Sequence, residues 1–356
     1  MLQSLHIENF RGFQEFDLEN LGRINLLVGE NNSGKTSLLE AILIFCSKVN
    51  LKILSELMKY RGEYLWETDI QGNRQQEYAI CHLFYGHEIL EDIELQIKIN
   101  SENGQETLIL SVMKLGPDRN LCLSRQWKEK NKLHFVELSS NDCLPSSILN
   151  TKKAEWGEQV EKSIELITPL SLDVTHLNQL FDNIVLSPHE ELIIEALQII
   201  EPKIERIASV GEQKYSINYR SYGERGGFVI KFSDKNKPVP IGSLGDGIWR
   251  ILSIILAMVN LENGVLLVDE IDTGLHFTTL FDMWKVILFT ARKLNIQVFA
   301  TTHNSDCWTS LAKLIQQEKI EDNEITIQRI EPDRKKAVSF NTKQIVIAAE
   351  RGIEVR

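Results

Sequence analysis

The chain of 356 residues sets 50 Asp and Glu against 39 Lys and Arg, a formal net charge of −11, with 43% hydrophobic and 25% charged residues. That content can bury a substantial core or fill two domains, and the acidic balance excludes a uniformly basic nucleic-acid surface, so any DNA contact would be a local patch. Apolar runs fall far short of the roughly 18 residues of a membrane span, and the N-terminus lacks the basic-then-apolar layout of a signal peptide, which predicts a soluble, cytoplasmic protein.

In chain order, Leu2, Leu5 and Ile7 predict a strand and Phe13 to Leu18 its hairpin partner. Ile24 to Val28 reads as a buried strand. It runs into Gly29, Glu30, Asn31, Asn32, Ser33, Gly34, Lys35 and Thr36: two glycines four residues apart, followed by Lys and Thr. Such a loop curls so that successive backbone N–H groups face phosphate oxygens, and the following helix aims its positive dipole end at them. Lys35 would reach the β- and γ-phosphates, and the Thr36 hydroxyl would sit on Mg²⁺, with Ser37 following. A helix is predicted from Thr36 to about Leu57.

From Glu77 to Leu138, alternating segments divided by Asn-Gly and Gly-Pro turns predict an antiparallel meander. Asn141 to Thr151 reads as a connector and Trp156 to Ile167 as helical. Ser187, Pro188 and Glu190 offer a capping box before a periodic helix reaching Ile207, which Pro202 would kink or divide. The five cysteines, Cys46, Cys81, Cys122, Cys143 and Cys307, are scattered without metal-ligand spacing and read as reduced, packed thiols.

The stretch from Gly242 to His303 carries the chemistry. Ser243, Leu244, Gly245, Asp246 and Gly247 precede a helix whose Ile248, Ile251, Leu252, Ile255, Leu256 and Val259 share one face. After Glu262, Asn263 and Gly264, the run Val265 to Val268 ends in Asp269 and Glu270, as a buried parallel strand does when it delivers carboxylates to a ligand. Asp269 would hold Mg²⁺ and Glu270 would act as general base on water. Ile296 to Ala300 predicts the next strand, ending in Thr301, Thr302 and His303, where the histidine can contact a γ-phosphate. The remainder reads as a helix (Thr309 to Glu318), strands (Glu324 to Ile330, Lys336 to Phe340) and a last helix (Thr342 to Glu350), with Glu321 to Glu324 as a solvated acidic turn.

The order of phosphate loop, glycine-rich segment, acidic strand end and histidine resembles the ABC-type ATPase heads of the SMC/RecF class. Asn9-Phe10-Arg11-Gly12-Phe13, the Asn31-Asn32 form of the loop, and the run from Asp269 through Asp272 to His276 resemble more narrowly the ATPase modules of the OLD (overcoming lysogenization defect) family and AAA-type bacterial relatives. The resemblance implies an α/β P-loop NTPase head with an antiparallel β subdomain and a helical lobe inserted between the loop and the signature. It divides the chain into an N-terminal ATPase lobe (1–140), a helical insertion with connecting strands (141–240), and a part carrying signature, acidic strand and histidine (241–356). It also implies a homodimer sandwiching two ATPs, each covered in trans by Ser243, Gly245, Asp246 and Gly247 of the partner.

Where the family signature has serine, this chain has Gly245, with Ser243 as a substitute one or two positions earlier. Asp272 matches a loop coupling the two sites, or simply caps the next turn; Arg11 resembles a residue reaching the nucleotide, or is a surface arginine of the hairpin. A Mg²⁺-sensing glutamine is expected before the signature, and Gln75 or Gln76 could serve. The guanine-selecting motif is absent, so adenine is the expected base. OLD-type chains carry a TOPRIM nuclease domain after the ATPase; only about fifty residues follow His303, so no nuclease activity is expected here. Two functions fit: a motor acting on a separately encoded, TOPRIM-like effector in DNA maintenance or phage defence, or an ATP-gated scaffold for DNA or protein that hydrolysis resets.

Overall fold

A strand buried on both faces carries apolar residues except where a polar side chain finds partners, and Ile24–Val28 is apolar but for Asn25, whose amide donates to the Val298 carbonyl at 3.2 Å and accepts from Thr326 Oγ1 at 2.9 Å. In a computed structural model, which describes the chain except residues 69–73, 90–92, 116–117, 128–129, 151–163, 170–173, 211–226, 332 and 356, this strand is the third of eighteen described. The N-terminal elements are β1 (Leu2–Phe10), β2 (Phe13–Leu18), β3 (Ile24–Val28), α1 (Lys35–Cys46), α2 (Leu51–Arg61), β4 (Tyr64–Thr68) and β5 (Arg74–Tyr78). Then come β6 (Glu94–Ser101), β7 (Gly104–Leu115), β8 (Asp118–Trp127), β9 (Lys130–Glu137), β10 (Leu144–Pro145) and β11 (Ile164–Ile167). The middle holds α3 (Val174–Asp182), α4 (Pro188–Gln198), β12 (Ile204–Ser209), β13 (Phe228–Phe232), β14 (Val239–Pro240) and α5 (Asp246–Val259). The chain finishes with β15 (Val265–Val268), α6 (Leu280–Lys293), β16 (Gln297–Thr301), α7 (Ser305–Gln317), β17 (Ile325–Arg329), β18 (Val338–Phe340) and α8 (Thr342–Glu350).

Two compact units form, and their boundaries fall inside strands: Met1–Gly22, Val28–Lys162 and Gln328–Ser339 make the first, and Arg23–Leu27, Ser163–Ile327 and Phe340–Arg356 the second. The first unit holds an antiparallel sheet in the order β2-β1-β6-β7-β8-β9. The predicted meander is thus built onto the N-terminal hairpin, with Ile7 opposite Phe16 on one side and Ile97 on the other. All three are buried, so one face of the sheet is core.

The second unit holds the parallel run β11-β15-β16-β3, continued by β17. Ile167 pairs with Val268, Val268 with Ala300, and Thr301 with Leu27, so the C-terminal ends of four strands share one sheet edge. Helix α5 buries Ile251, Leu252, Ile255, Leu256 and Val259 of its predicted face. Helices α6 and α7 pack through Trp284, whose fully buried ring donates Nε1–H to the Cys307 carbonyl at 3.0 Å.

Four expectations need correction. The single helix from Thr36 is two: Lys48 and Val49 take left-handed backbone (φ 53° and 54°), and the Asn50 side chain caps α2 by accepting the Lys52 N–H at 2.9 Å. The helix expected over Trp156 to Ile167 lies outside the described residues up to 163, and Ile164–Ile167 is strand β11, paired in parallel with β15. The helix expected to reach Ile207 stops at Gln198, and beyond Pro202 the chain is strand β12. At its start Ser187 accepts the His189 N–H, while Glu190 reaches the Leu186 N–H instead of closing the box on Ser187. Finally, the acidic turn is solvated as expected at Glu321, Asp322 and Asn323 but not at Glu324: Arg292 grips both its carboxylate oxygens at 2.7 Å, a bidentate pair that holds its carboxyl below the usual range.

Candidate active site

In the first unit the phosphate loop follows β3 directly. Gly34 sits at φ 94°, and a Cβ there would lie 2.2 Å from Cζ of Phe13, so backbone strain and the hairpin's aromatic ring both require glycine. Helix α1 starts immediately after it with no side-chain cap, an arrangement whose N-terminal dipole end favours anionic oxygens. Lys35 Nζ donates to the Gly29 and Glu30 carbonyls at 2.8 and 2.6 Å and approaches Ser33 Oγ at 3.5 Å, so the ammonium is held over the loop. Ser33 is buried, Asn31 and Asn32 are exposed, and Thr36 and Ser37 are half-buried.

Arg11 lies in the same unit, but not as a surface residue. It is 4% exposed; its Nη1 and Nη2 take Glu63 at 2.7 and 3.3 Å, and Nε lies 2.5 Å from Glu40 on α1, a contact without hydrogen-bond alignment. Glu40 also accepts from Arg61 at 2.5 Å. Burial pushes the Glu40 carboxyl up, and Arg11 and Arg61 counter it. The guanidinium expected at the nucleotide is therefore committed to a buried ion network that braces the loop helix. Gln75 is exposed on β5; Gln76 is half-buried and accepts from Tyr78 Oη at 3.4 Å.

The second unit gathers the acidic strand end. Asp269 Oδ1 accepts from Thr301 Oγ1 at 2.6 Å, and the same oxygen of Thr301 accepts the Glu270 N–H at 2.8 Å. Glu270 adopts φ 46°, a left-handed turn that swings its side chain out of the strand direction. Thr302 Oγ1 donates to Asp272 at 2.7 Å, and His303 follows it on the exposed surface. The strand end Thr301-Thr302 thus orders two carboxylates, those of Asp269 and Asp272, and the Glu270 N–H, while the Glu270 carboxylate accepts from Thr273 Oγ1 at 3.0 Å. From α5, Arg250 donates to the carbonyls of Thr168, Asp269 and Glu270 at 3.1, 3.3 and 3.4 Å. Burial pushes this guanidinium below the usual arginine range, while Asp269, Asp272 and Glu270 pull it back.

The signature segment belongs to this unit too. Ser243 is exposed on a single helical turn, and Gly245 holds φ 90°, ψ 168° ahead of α5. That region is open to glycine almost alone, so backbone geometry accounts for the missing serine. Asp246 opens α5, and the expectation for its side chain lies outside the described residues. Gly247 faces Leu275 of the loop after Asp272, where a Cβ would lie 3.4 Å from Cδ2. Asp269, Glu270, Asp272, His303 and the start of the signature helix are therefore brought together. Arg250, Thr301 and Thr302 were not singled out from sequence; an arginine and two threonines inside apolar runs were the available signal.

A parallel sheet delivering a phosphate-loop strand, an acidic strand end and a threonine-histidine strand end to one edge, with antiparallel sheets besides, defines a P-loop NTPase of the SMC/RecF head class. The chain belongs to the AAA ATPase domain family, whose model matches residues 1–165 and 121–307. It is 22% identical over 341 residues to an ATP/GTP phosphatase of Helicobacter pylori, covering 89% of each chain. It is 25% identical over 363 residues to the DNA replication and repair protein RecF of Rickettsia typhi, covering 86% of this chain and 95% of that protein. A crystal structure of an Smc head bound to the C-terminal winged-helix domain of ScpA superposes with a TM-score of 0.51 at 13% identity, covering 96% of this chain and 98% of that one. Among the described residues no helix is long and apolar enough to cross a membrane.

Proposed function

We propose that the protein binds and hydrolyses ATP with Mg²⁺ as a homodimeric, nucleotide-gated switch. The observation that carries this reading is the sheet edge at which Asp269, Glu270 and Thr301 are locked together, one strand from the strand that feeds the phosphate loop. Lys35 and the first N–H groups of α1 hold the β- and γ-phosphates. Thr36 and Asp269 would be the hard oxygen donors that hold Mg²⁺, which would neutralise phosphate charge. Glu270 removes the proton of the attacking water, and His303 touches the γ-phosphate. Ser243, Gly245, Asp246, Gly247 and Asp272 act on the partner's nucleotide, Gly245 through its backbone alone. Arg11 is reassigned to bracing α1 through Glu40.

The name of the Helicobacter pylori relative supports triphosphate hydrolysis, and that of the Rickettsia typhi relative supports a place in DNA maintenance. On this reading the switch drives a separately encoded, nuclease-like effector. The proposed kinship with OLD-type modules rests on Asn9-Phe10-Arg11-Gly12-Phe13, the Asn31-Asn32 form of the loop and the run from Asp269 to His276. Glu270→Gln should keep ATP binding, lose turnover by roughly a hundredfold or more, and shift the mass in solution to a dimer when ATP is present. Undiminished turnover in this variant, or phosphate transfer to an acceptor by a monomer, would refute the proposal.

A further inference from the structure

We propose that Arg250 is a positioning residue for Glu270: from the first turns of the signature helix it holds the peptide that carries the general base, so that strain at the helix's N-terminus reaches the base through one side chain. The inference rests on the ATPase reading above and adds a named mechanical link to it.

The geometry has three parts. Arg250 lies three residues after Gly247, where the exposed signature segment becomes helix, so its backbone moves with that segment. Its guanidinium reaches beyond the helix to the ends of two parallel strands, taking the Thr168 carbonyl after β11 with Nη1 and the Asp269 and Glu270 carbonyls after β15 with Nη2. Carbonyls at a strand's C-terminal end have run out of ladder partners, and a planar fork can serve several at fixed spacing where an ammonium cannot.

Glu270 itself is gripped from both sides. Its N–H is held by Thr301 Oγ1, and its carbonyl accepts from Arg250 Nη2 at 3.4 Å and from the Thr273 N–H at 3.0 Å, which together keep a non-glycine residue at φ 46°. Such a conformation persists only where its surroundings over-determine it. Arg250 brings its positive charge to Asp269 and Glu270 through their backbone carbonyls, while the carboxylates of Asp269, Glu270 and Asp272 are oriented by the hydroxyls of Thr301, Thr273 and Thr302. Nε has no hydrogen-bond partner among the described residues, so the side chain is placed by its terminal nitrogens at the expense of a stranded donor.

The test compares full-length wild type with Arg250→Lys and Arg250→Gln, measuring affinity for a fluorescent ATP analogue, steady-state phosphate release, and thermal unfolding. Both variants should bind the analogue within about threefold of wild type while kcat falls by about ten- to hundredfold with little change in KM, the pattern of an interaction expressed in the transition state. A fall in kcat at nearly constant KM and analogue affinity is a split that a plain packing defect would not cause. Lysine should rescue only a small part, because charge without the fork does not hold two strand ends. Variants that turn over within threefold of wild type, or that lose binding, kcat and thermal stability in proportion, overturn the inference. A wild-type protein that releases no phosphate sinks the ATPase reading instead, so the two failures are told apart.

Discussion

Replacing Thr301 by valine removes one hydroxyl from a side chain that is 1% exposed and changes almost nothing else. Two hydrogen bonds go: the donation to the Asp269 carboxylate at 2.6 Å and the acceptance from the Glu270 N–H at 2.8 Å. A bond to a charged group contributes about 1.5–3 kcal/mol and a neutral one about 0.5–1.5 kcal/mol, and the buried methyl that valine adds returns about 0.8 kcal/mol. The expected net loss is about 2–3 kcal/mol, read as a lower urea midpoint at unchanged slope. Because the same hydroxyl fixes Glu270 in its left-handed turn, steady-state phosphate release should fall by about ten- to hundredfold. Thr301→Ser keeps the hydroxyl and should stay within about threefold of wild type. A valine variant as stable and as fast as wild type would show that this hydroxyl orders neither carboxylate. Lost stability with full activity would show that the turn at Glu270 holds without it.

Three further outcomes are expected. Gly34→Ala should abolish nucleotide-analogue binding, and Phe13→Ala in the same chain should not restore it: removing the ring relieves the 2.2 Å clash but leaves a non-glycine residue at φ 94°, which costs about 1–2 kcal/mol; recovery in the double variant would contradict this. Burial pushes the Cys143 thiol up to about 11, so iodoacetamide at pH 8 should label it in urea but not in the native protein, as mass spectrometry of the peptide can test. His6 is held between Glu8 and Asp17 at 2.7 Å each; burial alone would lower its pKa, but the two carboxylates outweigh it and raise it. The stabilisation is then complete below the ordinary value of 6.5 and is lost as pH climbs through the raised one. His6→Gln should therefore cost stability at pH 6 and little at pH 9, and a penalty that grew with pH would reverse the assignment.

The loop, the acidic strand and the histidine strand were legible because each couples a local pattern to a short buried element: β15 is apolar throughout, β3 and β16 are mainly so and wholly buried, and the chemistry-bearing residues begin where the strands end. The break between α1 and α2 was hidden because apolar spacing runs on through Val49, Leu51 and Leu54; only Asn50 marked it, as a cap. Strand β12 imitated a helix for a specific reason. Ile204 and Ile207 are both buried although three apart, since the pairing with β13 shifts register between Ile204 and Arg206, and such a bulge turns an alternating spacing into a helical one. Arg11 and Arg250 could not be assigned from sequence, because nothing local says which carboxylates or carbonyls a long side chain will reach.

The bond from Trp284 to the Cys307 carbonyl also makes the molecule its own reporter. An indole shut away from water, with its N–H tied to the first turn of α7, emits at short wavelength, unlike the 62% exposed Trp66. Cys307 follows His303 by four residues, so any rearrangement of that segment should change the emission of Trp284 without a label. With the other five of the six tryptophans replaced by Phe, excitation of Trp284 would give the timing of the histidine strand's response to nucleotide in a stopped-flow trace.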